Sequence, residues 1–202
     1  MSLKGKVKTS KGPQTEIPTS GNHSAVIVAV IDLGTHMESY KGEAPYPTHK
    51  VLFVWEITDE QLSGTTNNHI ISRQFTLSFS RKAALLKMLQ TWKGTTLPDD
   101  FEIDLAILIG KKCTVSIVHT EKKKEDDRVY ANVDAMSGLK KGEVVPDPQH
   151  KPFSWDLDDD TEYPAPDWVP WTWDKRRQIF GPVEEMIAAC LELNGGIPEE
   201  ET

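Results

Sequence analysis

The chain has 202 residues, 38% hydrophobic and 27% charged, enough for one or two domains with a core of their own. Its formal net charge of −8 would argue against a phosphate binder, but residues 1–141 hold 19 basic and 16 acidic side chains, net +3, and residues 142–202 hold 4 and 15, net −11. No apolar run approaches the ~18 residues of a membrane span, residues 1–11 are basic with no apolar segment behind them, and Cys113 and Cys190 are the only cysteines. A membrane helix, a secretory leader, a disulfide framework and a four-cysteine zinc site are therefore not expected.

Residues 1–22 are rich in Lys, Gly, Ser, Thr and Pro without hydrophobic period, and read as a flexible basic arm. Residues 23–33 carry Ala25 to Ile31 as an unbroken apolar run dense in β-branched residues, the pattern of a strand buried on both faces. Residues 34–48, with two glycines and two prolines, read as a long loop. Residues 50–57 form a second strand with Val51, Phe53, Trp55 and Ile57 on one face, and residues 69–80 a third with Arg73, Phe75, Leu77 and Phe79 on one face. The period then changes: Ser80 reads as an N-cap, Ala84, Leu85, Met88, Leu89 and Trp92 recur at helical spacing, and Gly94 ends the helix. Residues 112–120 and 128–136 read as two further strands across a charged turn.

Beyond this body the composition shifts. Residues 142–173 carry Pro146, Pro148, Pro152, Pro164, Pro166 and Pro170 with a run of Asp, and read as an acidic linker or extended arm without regular structure. Trp155, Trp168, Trp171 and Trp173 lie in it, and so many large aromatics should bury against the body or a neighbouring copy. Residues 174–202 read as a helix striped by Ile179, Val183, Met186, Ile187 and Cys190, followed by an acidic tail.

Three strands, a helix and two strands within residues 23–141 is the order of a five-stranded oligonucleotide-binding (OB) barrel with its helix between strands three and four. The expected fold is thus mainly β, with a C-terminal arm and helix attached; a generic α+β sheet fits the same order.

Several stretches carry a resemblance. Ala29-Val-Ile-Asp-Leu-Gly-Thr-His, Thr48-His-Lys-Val-Leu-Phe-Val-Trp-Glu-Ile, Phe75-Thr-Leu-Ser-Phe-Ser, Leu108-Ile-Gly-Lys-Lys-Cys and Tyr130-Ala-Asn-Val are similar to those of phage-encoded single-stranded DNA-binding or replication-associated proteins. The resemblance covers roughly residues 23–142. It implies an OB-fold, work at replication or recombination intermediates, and a place in the cytoplasm of a bacterial host. The acidic C-terminus resembles in plan that of single-stranded DNA-binding proteins, but Glu199, Glu200, Glu201 and Thr202 lack an apolar tip.

Single strands are held by aromatic platforms and cationic grooves. In an OB barrel the face of strands two and three and the loops 1–2 and 4–5 carry the ligand. The first loop offers His36, Tyr40, Lys41, Tyr46, His49 and Lys50; an anchoring role for the tyrosines is the alternative. On the sheet, Trp55 reads equally as platform or core, Phe53 as core, and Arg73 as a rim cation able to meet phosphate. The second loop offers Lys122, Lys123, Lys124 and Arg128 against Glu121, Glu125, Asp126 and Asp127, and Tyr130 follows it as a stacking candidate.

Nothing in the sequence points to catalysis. There is no Walker phosphate loop, paired-His zinc motif or Gly-x-Ser-x-Gly elbow. The six histidines are scattered, and Asp156, Asp158, Asp159, Asp160 and Glu162 lack the turn glycine of a calcium loop, with Thr161 in its place. The expectation is a non-enzymatic, cofactor-free protein whose partner is single-stranded DNA. The acidic third would compete for the groove or recruit replication or recombination proteins, and arm exchange would give an oligomer. The alternatives are a protein-interaction adaptor using the Trp-rich acidic arm, and a nuclease accessory subunit.

Overall fold

The computed structural model describes residues 16–39, 41, 44–98, 101–121, 129–155 and 168. The expected C-terminal helix, Trp171, Trp173, Tyr40, Lys122, Lys123, Lys124 and Arg128 lie outside the described residues.

Six strands form one sheet: β1 (Gly21–Glu38), β2 (Tyr46–Gln61), β3 (Asn68–Thr76), β4 (Lys112–Glu121), β5 (Val129–Ser137) and β6 (Phe153–Trp155). One helix, α1 (Ala84–Lys93), and a 3₁₀ turn (Leu105–Leu108) lie between β3 and β4. The sheet runs in the order β3-β2-β1-β4-β5, all antiparallel, with β6 added parallel to β1. It is an open, mainly antiparallel sheet with one short helix, and the five long strands and the helix fall in the expected order.

β1 organises the rest. Its first part pairs with β4, from Gly21↔Ile117 to Val26↔Lys112, and from Ala25 onward it pairs with β2 as far as Glu38↔Tyr46. The register slips between Ile27 and Ala29. That bulge turns both Val28 and Ala29 to one side of the sheet, because an extra residue breaks the alternation of side chains. Ala25, Ile27 and Val30 therefore join a first core with Phe53, Trp55, Phe75, Val115 and Met136, roofed by Leu85 and Leu89 of α1. Val26, Val28, Ala29, Ile31 and Leu33 join a second core on the other face with Leu52 and Val54. The run expected to be buried on both faces is so buried.

Four expectations are corrected. Residues 34–48 are not a long loop: β1 continues to Glu38 and β2 begins at Tyr46. Gly34, at φ 71°, sits at a second slip in the β1–β2 register and bends the ribbon rather than ending it. Pro47 is tolerated because β3 pairs with β2 only from Lys50 onward, so no third strand needs its missing N–H.

Ser80 does not cap α1. Ala83 occupies the N-cap without a side-chain bond, and Ser80 accepts the Ala83 N–H through its carbonyl in the preceding turn. Gly94 does end the helix, in the left-handed conformation at φ 69°.

Within the arm expected at residues 1–22, residues 16–20 are tied down and Gly21 and Asn22 open β1. Glu16 accepts from the Ser63 N–H and hydroxyl, Thr19 donates to Glu60, and His119 donates to the Pro18 carbonyl.

Finally, residues 142–173 do hold regular structure. Phe153–Trp155 is a strand against Ala29–Ile31, and Val145, Phe153 and Trp168 pack on the second core. The expectation that tryptophan of this segment buries against the body is met by Trp168.

Candidate nucleic-acid interface

At the far end of the β1–β2 ribbon the polar residues are cross-linked to one another. Lys50 is only 6% exposed, and its ammonium donates to Glu38 Oε2 at 2.8 Å and Thr76 Oγ1 at 3.0 Å. His49 Nε2 meets Asp32 Oδ1 at 2.6 Å, an oxygen that also accepts the Gly34 N–H at 2.7 Å. His36 donates to the Leu33 carbonyl and is buried. Lys41, exposed and at φ 49°, and Tyr46, 44% exposed, lie towards the tip. His36, Tyr46, His49 and Lys50 are thus brought together on paired strands, with the Lys50 ammonium paired to Glu38 and His49 hydrogen-bonded to Asp32.

Trp55 is corrected as a platform. It is wholly buried, stacked at 5.7 Å on Phe53, and no base can reach it. Its position in an alternating strand puts it on the same face as Val51, Phe53 and Ile57, and that face is the interior one.

The opposite face of β2 is closed as well. Glu56 lies on it, between strands rather than in water, and is 0% exposed. Its carboxylate accepts from the backbone N–H of Gln149 (2.7 Å) and His150 (3.0 Å), from Asn68 Nδ2 (2.6 Å) and from His150 Nδ1 (2.8 Å). Burial pushes this carboxyl up, but the hydrogen bonds together pull it further down, so it is ionised and sits below the usual carboxylate range. Gln149 also bonds the backbone on both sides of Asn67, at Thr66 and Asn68. Residues 139–155 with Trp168 therefore form a strap over β1 and β2, pinned by one carboxylate. Sequence reasoning passed over Glu56. The signal was its place in line with Leu52 and Val54: if those two are covered, the carboxylate beside them must be covered and satisfied too.

Arg73 lies elsewhere than at a free rim. Its Nη1 donates to the carbonyls of Val133 (2.7 Å) and Asp134 (2.8 Å) on β5, and its guanidinium lies 4.8 Å from the Phe75 ring centroid. β3 and β5 are the two terminal strands of the sheet order, so this one side chain bridges its open edges. A groove of ≈ 350 Å³ lies along this seam, lined by Ser72, Arg73, Gln74, Val118, Asn132 and Asp134. A second, of ≈ 450 Å³, continues from Arg73 and Gln74 past Lys50, Thr76 and Ser78 to Lys82 at the start of α1. Tyr130, 36% exposed, flanks the seam on β5 opposite Thr120.

No protein-family model matches the chain, and no curated protein matches it.

Among the described residues no three His, Cys, Asp or Glu side chains are grouped to hold a metal ion, and no helix is long and apolar enough to cross a membrane. A third groove, ≈ 540 Å³ and mostly apolar, lies between α1 and residues 97–108. Its lining includes Trp92, Phe101 and Ile107 with Lys93, Glu102, Asp104 and Lys111. Cations and hydroxyls line the β3–β5 seam and the groove beside it, and Tyr130 is exposed on β5.

Proposed function

We propose that this chain binds single-stranded DNA with little sequence preference, as a non-enzymatic factor in phage replication or recombination inside the bacterial host. The observation that carries the reading is the sheet plan. β1 is shared between β2 and β4, the helix joins β3 to β4, and Arg73 ties the β3 edge to the β5 edge. Those features support reading the open sheet as an OB barrel, a fold that recurs in oligonucleotide binders. A fold alone carries no function, so the site must support it. Arg73 and Lys82 line adjoining grooves, and Tyr130 is exposed on β5 two residues from Asn132, which lines one of them; this suits phosphate contact combined with base stacking. The net +3 of residues 1–141 supports the same reading, and the −11 of residues 142–202 suits contact with basic replication or recombination proteins.

The test is a gel-shift series in dilute buffer with oligo-dT, a mixed-sequence single strand and the matching duplex. Both single strands should shift at similar protein concentrations and the duplex at a much higher one. Absence of any shift with either single strand overturns the reading in favour of the protein-interaction adaptor.

A further inference from the structure

OB barrels take strands across the outer face of β2 and β3, and here the β2 part of that face is occupied by the chain itself. Leu52 and Val54 lie under the strap with Val145 and Phe153, and Glu56 is committed to Gln149 and His150. Freeing the face would uncover Val26, Val28, Ile31 and Leu33 of β1 together with those two residues, an apolar surface too large to leave in water. The strap is therefore a fixed part of the fold, and a bound strand has to pass elsewhere.

Among the described residues, the outer surface without cover runs over β3, β5 and β4. Val118 pairs with Asn132 and Thr120 with Tyr130, so all four share one side, and Tyr130 lies diagonal to Val118. Both are more than a third exposed, at 38% for Val118 and 36% for Tyr130. Ser72 and Gln74 face the same groove from β3. No ladder joins β3 to β5 among the described residues, so apart from the Val133 and Asp134 carbonyls that Arg73 holds, the facing edges carry main-chain groups outside any ladder. Lys82 and Arg73 supply cations along the adjoining groove, Lys50 there being paired with Glu38, and Asp134 is the one carboxylate among the residues lining the two. Cations at one end, an aromatic and an aliphatic side chain at the other, and hydrogen-bonding edges between them match the parts of a nucleotide.

We infer that the β3–β5 seam is the path of the single strand, with phosphates beside Lys82 and Arg73 and bases over Val118 and Tyr130. The inference rests on the single-strand reading above and narrows it to one surface.

Fluorescence anisotropy of a labelled oligo-dT on the full chain and four variants tests it. Tyr130→Ala should weaken binding by about fivefold to a hundredfold, the loss of one stacked base. Asp134→Asn should tighten it by roughly threefold to tenfold at low salt, since a like charge leaves the phosphate path; a gain of this kind cannot come from a misfolded protein. Lys82→Ala should lower the salt slope by about one phosphate contact. Tyr46→Ala, beyond the opposite end of β1, should change affinity less than about twofold against the stacking loss expected at Tyr130. If the parent chain binds but Asp134→Asn and Tyr130→Ala leave affinity unchanged, the seam is overturned while the single-strand reading stands. If the parent chain does not bind, both fall.

Discussion

Glu56 shows how much one side chain decides. Replacing it with alanine would leave four donors without their acceptor, and leaving a buried polar group unsatisfied costs about 1–3 kcal/mol. Urea unfolding of Glu56→Ala at neutral pH should show a loss of that order. The same carboxyl makes stability depend on acid. Burial raises its pKa and the donors of Gln149, His150 and Asn68 lower it further, for a net depression below its unfolded value of about 4.3. Its contribution is complete above that value and disappears as the pH falls through the lower folded-state value. The stability curves of the parent and Glu56→Gln chains should therefore lie apart at neutral pH and converge on the acid side; parallel curves down to the acid transition would contradict the buried, ionised assignment. Cys113 offers a second residue-scale check. Burial pushes its thiol up to about 12, so in a Cys190→Ser chain it should resist a thiol reagent in native buffer and react on unfolding in urea. At this scale the sequence marked Trp55 and Lys50 as interesting by type, but exposure is a property of both faces of the strand. A tryptophan in an alternating strand looks alike whether the face it shares is solvent or core.

Among the elements, the strap and the seam carry the consequences. A chain ending at residue 168 keeps Val145, Phe153 and Trp168 on the second core and should unfold cooperatively near the parent's midpoint. A chain ending at residue 142 uncovers that core and should aggregate on gel filtration. Equal behaviour of the two would show that the strap is not structural. Arg73→Ala, which removes two charge-assisted bonds between the sheet's terminal strands, should cost about 1.5–3 kcal/mol in urea unfolding, with Arg73→Lys losing less. The strand order was readable because Ala25 to Ile31, Val51 to Ile57 and Val115 to Ile117 carry apolar periodicity that local chemistry fixes. The helix end was readable at Gly94. The β1–β2 ribbon was not, since Gly34, Pro45 and Pro47 carry break signals that long-range pairing overrides. Nor was β6: three residues after a proline-rich stretch have no period of their own, and they form a strand only because β1 presents an edge and an apolar floor.

For the molecule as a whole, a net charge of −8 describes no single surface. The strap brings part of the acidic third onto the sheet: Asp147 meets Lys112 at 2.8 Å and Glu143 meets Ser24 at 3.0 Å. It lies over β1 and β2, away from the seam where Lys82 and Arg73 stand. Charge of both signs can therefore coexist on one chain without cancelling at the proposed strand path, where aromatic stacking is proposed to carry much of the affinity. The salt response separates these contributions. The most direct measurement is the affinity of the full chain for oligo-dT as salt rises from ~50 to ~200 mM. Binding that weakens log-linearly, by about 0.7 in slope for each phosphate contacted, with a residual affinity contributed by stacking, is the expected result. No measurable binding at the lowest salt would contradict the assignment of this protein to single-stranded DNA.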